Sequence, residues 1–148
     1  MDGLPKPQRY FAVFAISCGT ALTVIDGAIP NVALPTIARD LGVEASAAVL
    51  IVSVYQLVLV MTLLPLSALG SRIGLKRMYQ YGQCVFIGSA LLCFLAPSLP
   101  LLLAARTLQA LGAAAVLSVA SALVRSVYPG KQLGRGLGIN SIIVASSA

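Results

Sequence analysis

Asp26 and Arg106 are two charged residues set well inside apolar stretches of this 148-residue chain. A charge at the depth of a bilayer costs about 2.5–3.5 kcal/mol on insertion scales, so such residues usually face a partner or a water-filled cavity. An acid there can bind a proton or a cation. An arginine nearby favours the carboxylate, whereas desolvation favours the neutral acid. The pair therefore reads as proton-exchange or cation-binding machinery, with a purely structural ion pair, or an Arg106 that snorkels to the outer interface, as the alternatives.

Further residues around them suit the same chemistry. Pro30 has no N–H, so the carbonyl of Asp26 loses its helical donor, and Gly27 weakens the helix further. Acid, freed carbonyl and a kink thus coincide, as in the interrupted helices of ion and substrate sites. Pro35 follows one turn later, and Gln109 places an amide beside Arg106. Asn31, Tyr55 and Gln56 are weaker candidates for lining the substrate cavity, and for Tyr55 and Gln56 ordinary hydrogen bonding between helices would explain them equally well. Arg106, Ala110, Ala114, Ser118 and Ala122 repeat every fourth residue, with Gly112 alongside. Small residues at that spacing let helices approach closely and would carry Arg106 into protein rather than lipid.

Other chemistries find little support. The chain has no histidine, the usual proton shuttle and the commonest metal ligand. Cys18, Cys84 and Cys93 lack metal-ligand spacing and read as small buried packing residues. Gly134-Arg135-Gly136-Leu137-Gly138 lacks the Lys-Ser/Thr pair and the spacing of a phosphate loop. No nucleophile–base–acid set points to an enzyme, and no cofactor or metal is implied.

The elements that must position Asp26 and Arg106 follow from composition. Apolar residues make up 59% of the chain and charged residues 9%, and mean hydropathy is +0.97. A soluble domain is about 25% charged, so the solvent for most of this surface must be lipid. Apolar runs cover about 10–34, 47–70, 78–96 and 101–124, and a fifth begins near Leu137. Each complete run approaches the ~20 residues that cross a bilayer as a helix. Helices are expected because a backbone in hydrocarbon must satisfy its own hydrogen bonds. The fifth run stops at Ser146-Ser147-Ala148, too short to span, so further helices are expected downstream. The first run continues well past any cleavage site and reads as a helix rather than a signal peptide.

The net charge of +6 comes from cations between the runs rather than one patch, a pattern of membrane topology and not of nucleic-acid binding. Lys6 and Arg9 precede the first run. Arg72, Lys76 and Arg77 separate the second and third, and Arg125, Lys131 and Arg135 the fourth and fifth. The other connections have only Arg39, offset by Asp40 and Glu44, or no charge at all. The positive-inside rule then places the N-terminus in the cytoplasm, with Tyr10, Tyr79 and Tyr81 near cytoplasmic ends. On that topology Asp26 lies ~12 Å and Arg106 ~7 Å below the outer ends of their helices. A long arginine can cover the offset, so a direct or water-mediated contact is expected.

Three segments, in order, resemble the major facilitator superfamily across essentially the whole chain. Ile25-Asp26-Gly27-Ala28-Ile29-Pro30-Asn31-Val32-Ala33-Leu34-Pro35 is similar to the first-helix signature of drug–proton antiporters predicted to have fourteen helices, with Pro30 replacing an aliphatic residue. Ser67-Ala68-Leu69-Gly70-Ser71-Arg72-Ile73-Gly74-Leu75-Lys76-Arg77 resembles the superfamily's loop between helices two and three. Ser67 stands there for Gly and Ser71 for the latching Asp. Leu103 to Ala114 resembles the helix-four motif of proton-coupled members, Ala110 replacing its first Gly.

The resemblance implies an all-α polytopic bundle built from inverted repeats, with a site near the midplane. It implies proton-coupled multidrug efflux by alternating access, in which Asp26 and Arg106 carry coupling and Ser71, Arg72, Gly74, Lys76 and Arg77 form a cytoplasmic gating loop. The implied partners are the bilayer, protons, a lipophilic or cationic small molecule and the remaining helices, in a bacterial inner membrane. On this reading the segment alone does not transport. A metabolite or nutrient transporter of the same superfamily, and a non-transporting integral membrane subunit, are the alternatives.

Overall fold

The computed structural model describes residues 6–127, and all four of its elements are helices: α1 (Lys6–Asp40), α2 (Ala45–Ile73), α3 (Leu75–Phe94) and α4 (Leu99–Val127). The expected fifth segment from Leu137, with Lys131, Arg135 and the Gly134–Gly138 stretch, lies outside the described residues. α1, α2 and α4 are each long and apolar enough to cross a membrane. α3 has 20 residues, enough for ~30 Å, but its first turn carries Lys76 and Arg77. The chain is a multi-pass α-helical membrane protein. Large side chains that face outward, such as Phe11, Phe14, Val32, Leu64 and Phe94, suit a hydrocarbon surround or further helices.

The helices run past the apolar stretches, and this corrects where the basic residues sit. Arg39 and Asp40 lie in the last turn of α1, Arg72 in that of α2 and Arg125 in that of α4. Lys76 and Arg77 open α3. Hydrophobicity marks only the part of a helix inside hydrocarbon, while backbone hydrogen bonding continues into the interface until a residue ends it. Between α2 and α3 the terminator is Gly74 alone, at φ 99°, a conformation that side chains with a Cβ rarely adopt. Its N–H donates to the Gly70 carbonyl and its own carbonyl accepts from Met78, so one residue both ends α2 and starts α3.

α1 ends in a Schellman motif. Gly42, at φ 62°, donates to the Arg39 carbonyl, and Val43 donates to that of Ala38. Val43 then packs beside Ala38, Ala48 and Ile51, which ties the α1–α2 turn to the base of α4 through Leu99, Leu102 and Leu103. At the start of α4, Pro100 occupies the first turn, where its missing N–H has no intrahelical partner to lose.

α4 is the innermost helix. Of its most apolar stretch 56% is buried, against 17% for α2 and 28% for α1. α3 presses against it through glycine. A Cβ on Gly112 would fall 2.6 Å from the Phe86 backbone nitrogen, and one on Gly82 would meet Ala115 and the Gly112 carbonyl. α2 meets α4 at Gly70, where a Cβ would strike Val119. The every-fourth stripe accounts for part of this packing: Ala110 and Ala114 are fully buried, but Ser118 and Ala122 are only half-buried. The closest approach runs through Gly112 and Ala115 instead.

α1 is attached at three heights. Val13 and Ile16 pack on Ala120 and Val124 at one end, and Ala38 on Ala48 and Ile51 at the other. The middle attachment is polar.

Candidate functional site

Halfway along α1, Asp26 meets Arg106 of α4. Arg106 Nη1 donates to Asp26 Oδ2 at 2.9 Å and to Gln109 Oε1 at 2.7 Å. This is the one salt bridge among the described residues. Arg106 is 8% exposed, so it points into the bundle and does not snorkel. Gln109 is fully buried one turn along α4. The contact is direct rather than water-mediated.

Two further groups complete the surroundings of Arg106. The Tyr55 ring of α2 lies under the guanidinium, 5.5 Å from its centroid, at cation–π distance. Cys93 Sγ of α3 donates to Gln109 Oε1 at 3.5 Å. Residues from all four helices thus gather around Arg106 and Gln109. A guanidinium has five donors and no acceptor, so it tolerates losing one partner if others remain. Here Gln109 and the Tyr55 ring would still hold it if Asp26 left.

Beside the pair lies a concavity of about 450 Å³, walled by Asp26, Ile37, Asp40, Cys93, Arg106 and Gln109 among others. Asp26 is only partly covered, its side chain 24% exposed against 10% for that of Arg106. The acid is therefore the accessible member of the pair and the arginine the fixed one.

Asn31 does not join this cluster. It lies five residues beyond Asp26, roughly 140° around the helix, and lines a separate concavity with Tyr55 and Gln56. Pro30 is buried and Pro35 exposed, and both sit within one uninterrupted helix. The loop candidates Ser71, Arg72, Gly74, Lys76 and Arg77 are exposed at the far end of α2 and α3, away from the pair. Ser71 Oγ donates back to the Ala68 carbonyl at 2.7 Å and so satisfies itself within α2.

Three contacts were not legible in the sequence: the Tyr55 ring with Arg106, Cys93 with Gln109 and Tyr79 with Ile16. Cys93 was expected only to pack, yet it touches Gln109. Cys18 and Cys84, expected buried, are exposed. Tyr79, expected at the interface, is half-buried and donates to the Ile16 carbonyl of α1 at 3.0 Å. Among the described residues no group of His, Cys, Asp and Glu could hold a metal.

Comparisons with known proteins bear on the family of the chain. Residues 16–148 match the family model described as Major Facilitator Superfamily. Over 147 residues the chain is 50% identical to the uncharacterized transporter YebQ of Escherichia coli (strain K12), covering 99% of this chain and 32% of that protein. It is 31% identical to the riboflavin transporter RibZ of Clostridioides difficile (strain 630), covering 93% of this chain and 30% of that one. It is 35% identical to the methylenomycin A resistance protein of Streptomyces coelicolor, covering 92% and 29%. The chain spans about a third of the length of these relatives.

Proposed function

This chain belongs to the Major Facilitator Superfamily, and from that premise we propose that it forms the first helices of a secondary active transporter that exports small molecules in exchange for protons. The observation that carries this reading is the Asp26–Arg106 pair, a carboxylate held 2.9 Å from a buried guanidinium and open to a cavity on one side.

The chemistry follows from the pair. With Asp26 ionised, Arg106 balances its charge. A proton arriving from the outer side neutralises the acid and removes its attraction to Arg106, which keeps Gln109 and the Tyr55 ring. The neutral acid has less reason to stay against α4, so α1 is free to shift relative to it. A cationic substrate entering from the inner side competes for the same carboxylate and drives the proton off. Each cycle then moves substrate out and a proton in.

The N-terminus faces the cytoplasm in this scheme, which places the Ser71–Arg77 connection on the inner side, where its three cations belong. The membrane of this proposal is the bacterial inner membrane. Ser71 can cap locally but brings no negative charge, so a latch there relies on Arg72, Lys76 and Arg77 meeting acids or helix C-termini elsewhere in the protein. Export is favoured by relatives named for resistance, including the methylenomycin A resistance protein and the multidrug resistance protein Stp of Mycobacterium tuberculosis. The riboflavin transporter among the relatives favours a second reading, movement of a neutral metabolite.

The test expresses the full-length reading frame in cells lacking their major efflux pumps and follows a fluorescent lipophilic cation. Uncoupler-sensitive efflux by the wild type, lost in Asp26→Asn at matched expression, is the expected result. Efflux that survives Asp26→Asn with its uncoupler sensitivity intact would remove Asp26 from coupling.

A further inference from the structure

From Gly88 to Ala105 the chain carries no charged residue. The end of the bundle that the proposed topology puts outside therefore has few charges: Arg39 and Asp40 of α1, and Glu44 just before α2. Asp40 is exposed and has no ion-pair partner among the described residues.

The concavity beside the ion pair is a furrow that joins this end to mid-height. On α1 its wall runs from Asp26 to Leu41, on α3 and the turn after it from Ala90 to Ala96, and on α4 from Leu102 to Gln109. Fourteen residues separate Asp26 from Asp40, about 21 Å of helix. The volume of about 450 Å³ has room for on the order of ten waters at ~30 Å³ each. The sides are apolar, with Ile37, Phe94 and Leu102 among them, but the ends are not. Asp40 stands at the mouth, and Asp26, Arg106 and Gln109 form the floor.

In the other direction Asp26 meets nothing polar. A further concavity reaches inward past it to Leu22 between α1 and α3. Apart from Asp26 that wall is wholly apolar, with Ile25, Phe86 and Ile87 among its members. The concavity of Asn31, Tyr55 and Gln56 does not include Asp26. The acid thus has a furrow with a carboxylate at its mouth toward one end of the bundle and only apolar wall toward the other. Charges at this depth are stabilised where water can reach them.

We infer that this furrow is the path by which protons from outside reach Asp26 in this conformation, and that Asp40 gathers them at the mouth. The inference rests on the transport reading and adds to it a route and a positioning residue. A carboxylate at the entrance of a low-dielectric cleft concentrates cations, hydronium included, and speeds their entry. Arg39 beside it and Glu44 across the turn are the other charges at the rim, and α3 and α4 add none there. At the floor the titratable and charged neighbours of Asp26 are Arg106 of α4, Tyr55 of α2 and Cys93 of α3. Hydronium gives its proton to the carboxylate and leaves as water by the same furrow. Substrate comes from the inner side, so proton and substrate approach one carboxylate from different ends.

Cys93 lines the furrow and serves as a probe of it. The full-length protein, with its other cysteines replaced by serine, is exposed in spheroplasts to silver ion, a thiol-reactive cation small enough to follow water. Maleimide labelling in denaturant then counts the thiols left free. External silver is expected to block Cys93 about tenfold faster than the thiol of Ile87→Cys in a Cys93→Ser background, the low end for cations focused into a cleft. Ile87 lies six residues further in along α3, on the apolar concavity. No block of Cys93, equal rates at the two positions, or block only from the inner face in inverted vesicles overturns the path. For the mouth, purified full-length protein in weakly buffered detergent is stepped from alkaline to acid pH while the infrared band of protonated Asp26 is followed. Asp40→Asn is expected to slow its rise about threefold at low salt and little at high salt, and Asp40→Glu to restore it. An unchanged rate, or slowing that salt does not alter, overturns the role of Asp40. Silver access to Cys93 and Asp40-dependent protonation in a protein without uncoupler-sensitive efflux support the path and contradict the transport reading.

Discussion

The seam between α3 and α4 and the attachment of α1 to α4 solve the same problem in opposite ways. At the seam, Gly82, Gly112 and Ala115 bring two backbones into contact. Nothing there can rotate out of the way. At the attachment of α1, polar contacts are made by the ends of long side chains: Arg106 of α4 to Asp26 at mid-height, and Tyr79 of α3 to the Ile16 carbonyl nearer one end. A contact between backbones fixes a distance. A contact between side-chain ends can be exchanged for another while the helices stay packed above and below. The difference teaches which helix would serve as the frame in the proposed cycle: α4 with α3 would hold Arg106 still, and α1 would carry the acid to it.

The largest expected effect breaks the seam. Gly112→Ala puts a Cβ onto the Phe86 backbone, with no flexible group to give way. A loss of about 3 kcal/mol, at the upper end for overpacking, should appear as a sharp fall in thermal midpoint and in yield of monodisperse full-length protein. The next effect sharpens the comparison at the pair. A double-mutant cycle over Asp26→Asn and Arg106→Gln should give a coupling of about 1–2 kcal/mol, as for residues in one network. Additive losses would mean that the 2.9 Å contact contributes nothing.

Gly19→Ala is the like-for-like counterpart of Gly112→Ala. Its Cβ would run into the Gln83 amide and the Tyr79 hydroxyl, which are side-chain ends. The amide can swing aside, so the cost should be about 1 kcal/mol. A cost equal to that of Gly112→Ala would erase the distinction between frame and mobile helix. The smallest effect is Tyr79→Phe, which removes one hydrogen bond to α1 and should lower stability by about 0.5–1 kcal/mol, read from the same thermal midpoint.

The helical membrane fold was legible because lipid leaves few choices. A run such as 47–70 must be helical in hydrocarbon. Helix ends were less legible, since Arg72 and Lys76 look like loop residues by charge, yet only the left-handed Gly74 interrupts the backbone. Asp26 and Arg106 stood out because intramembrane charges are few, and their approach could be anticipated from depth. Asn31 lies five residues beyond Asp26, so the helical twist carries it to another wall, where it lines a concavity with Tyr55 and Gln56. The contact of Cys93 with Gln109 and of Tyr55 with Arg106 depends on how α2 and α3 rotate against α4. No local pattern encodes that rotation. The every-fourth stripe of α4 marked the packed face only in part, because α3 approaches most closely at Gly112 beside it.

The most direct test of exchange at Asp26 measures protons, not drug. Purified full-length protein in weakly buffered detergent solution would be mixed with tetraphenylphosphonium while pH and the infrared carboxyl bands are recorded. If substrate and proton compete for Asp26, binding releases protons and a protonated-carboxyl band disappears, and both signals vanish in Asp26→Asn. Proton release that persists unchanged in Asp26→Asn would contradict the exchange and leave the Asp26–Arg106 contact a structural ion pair.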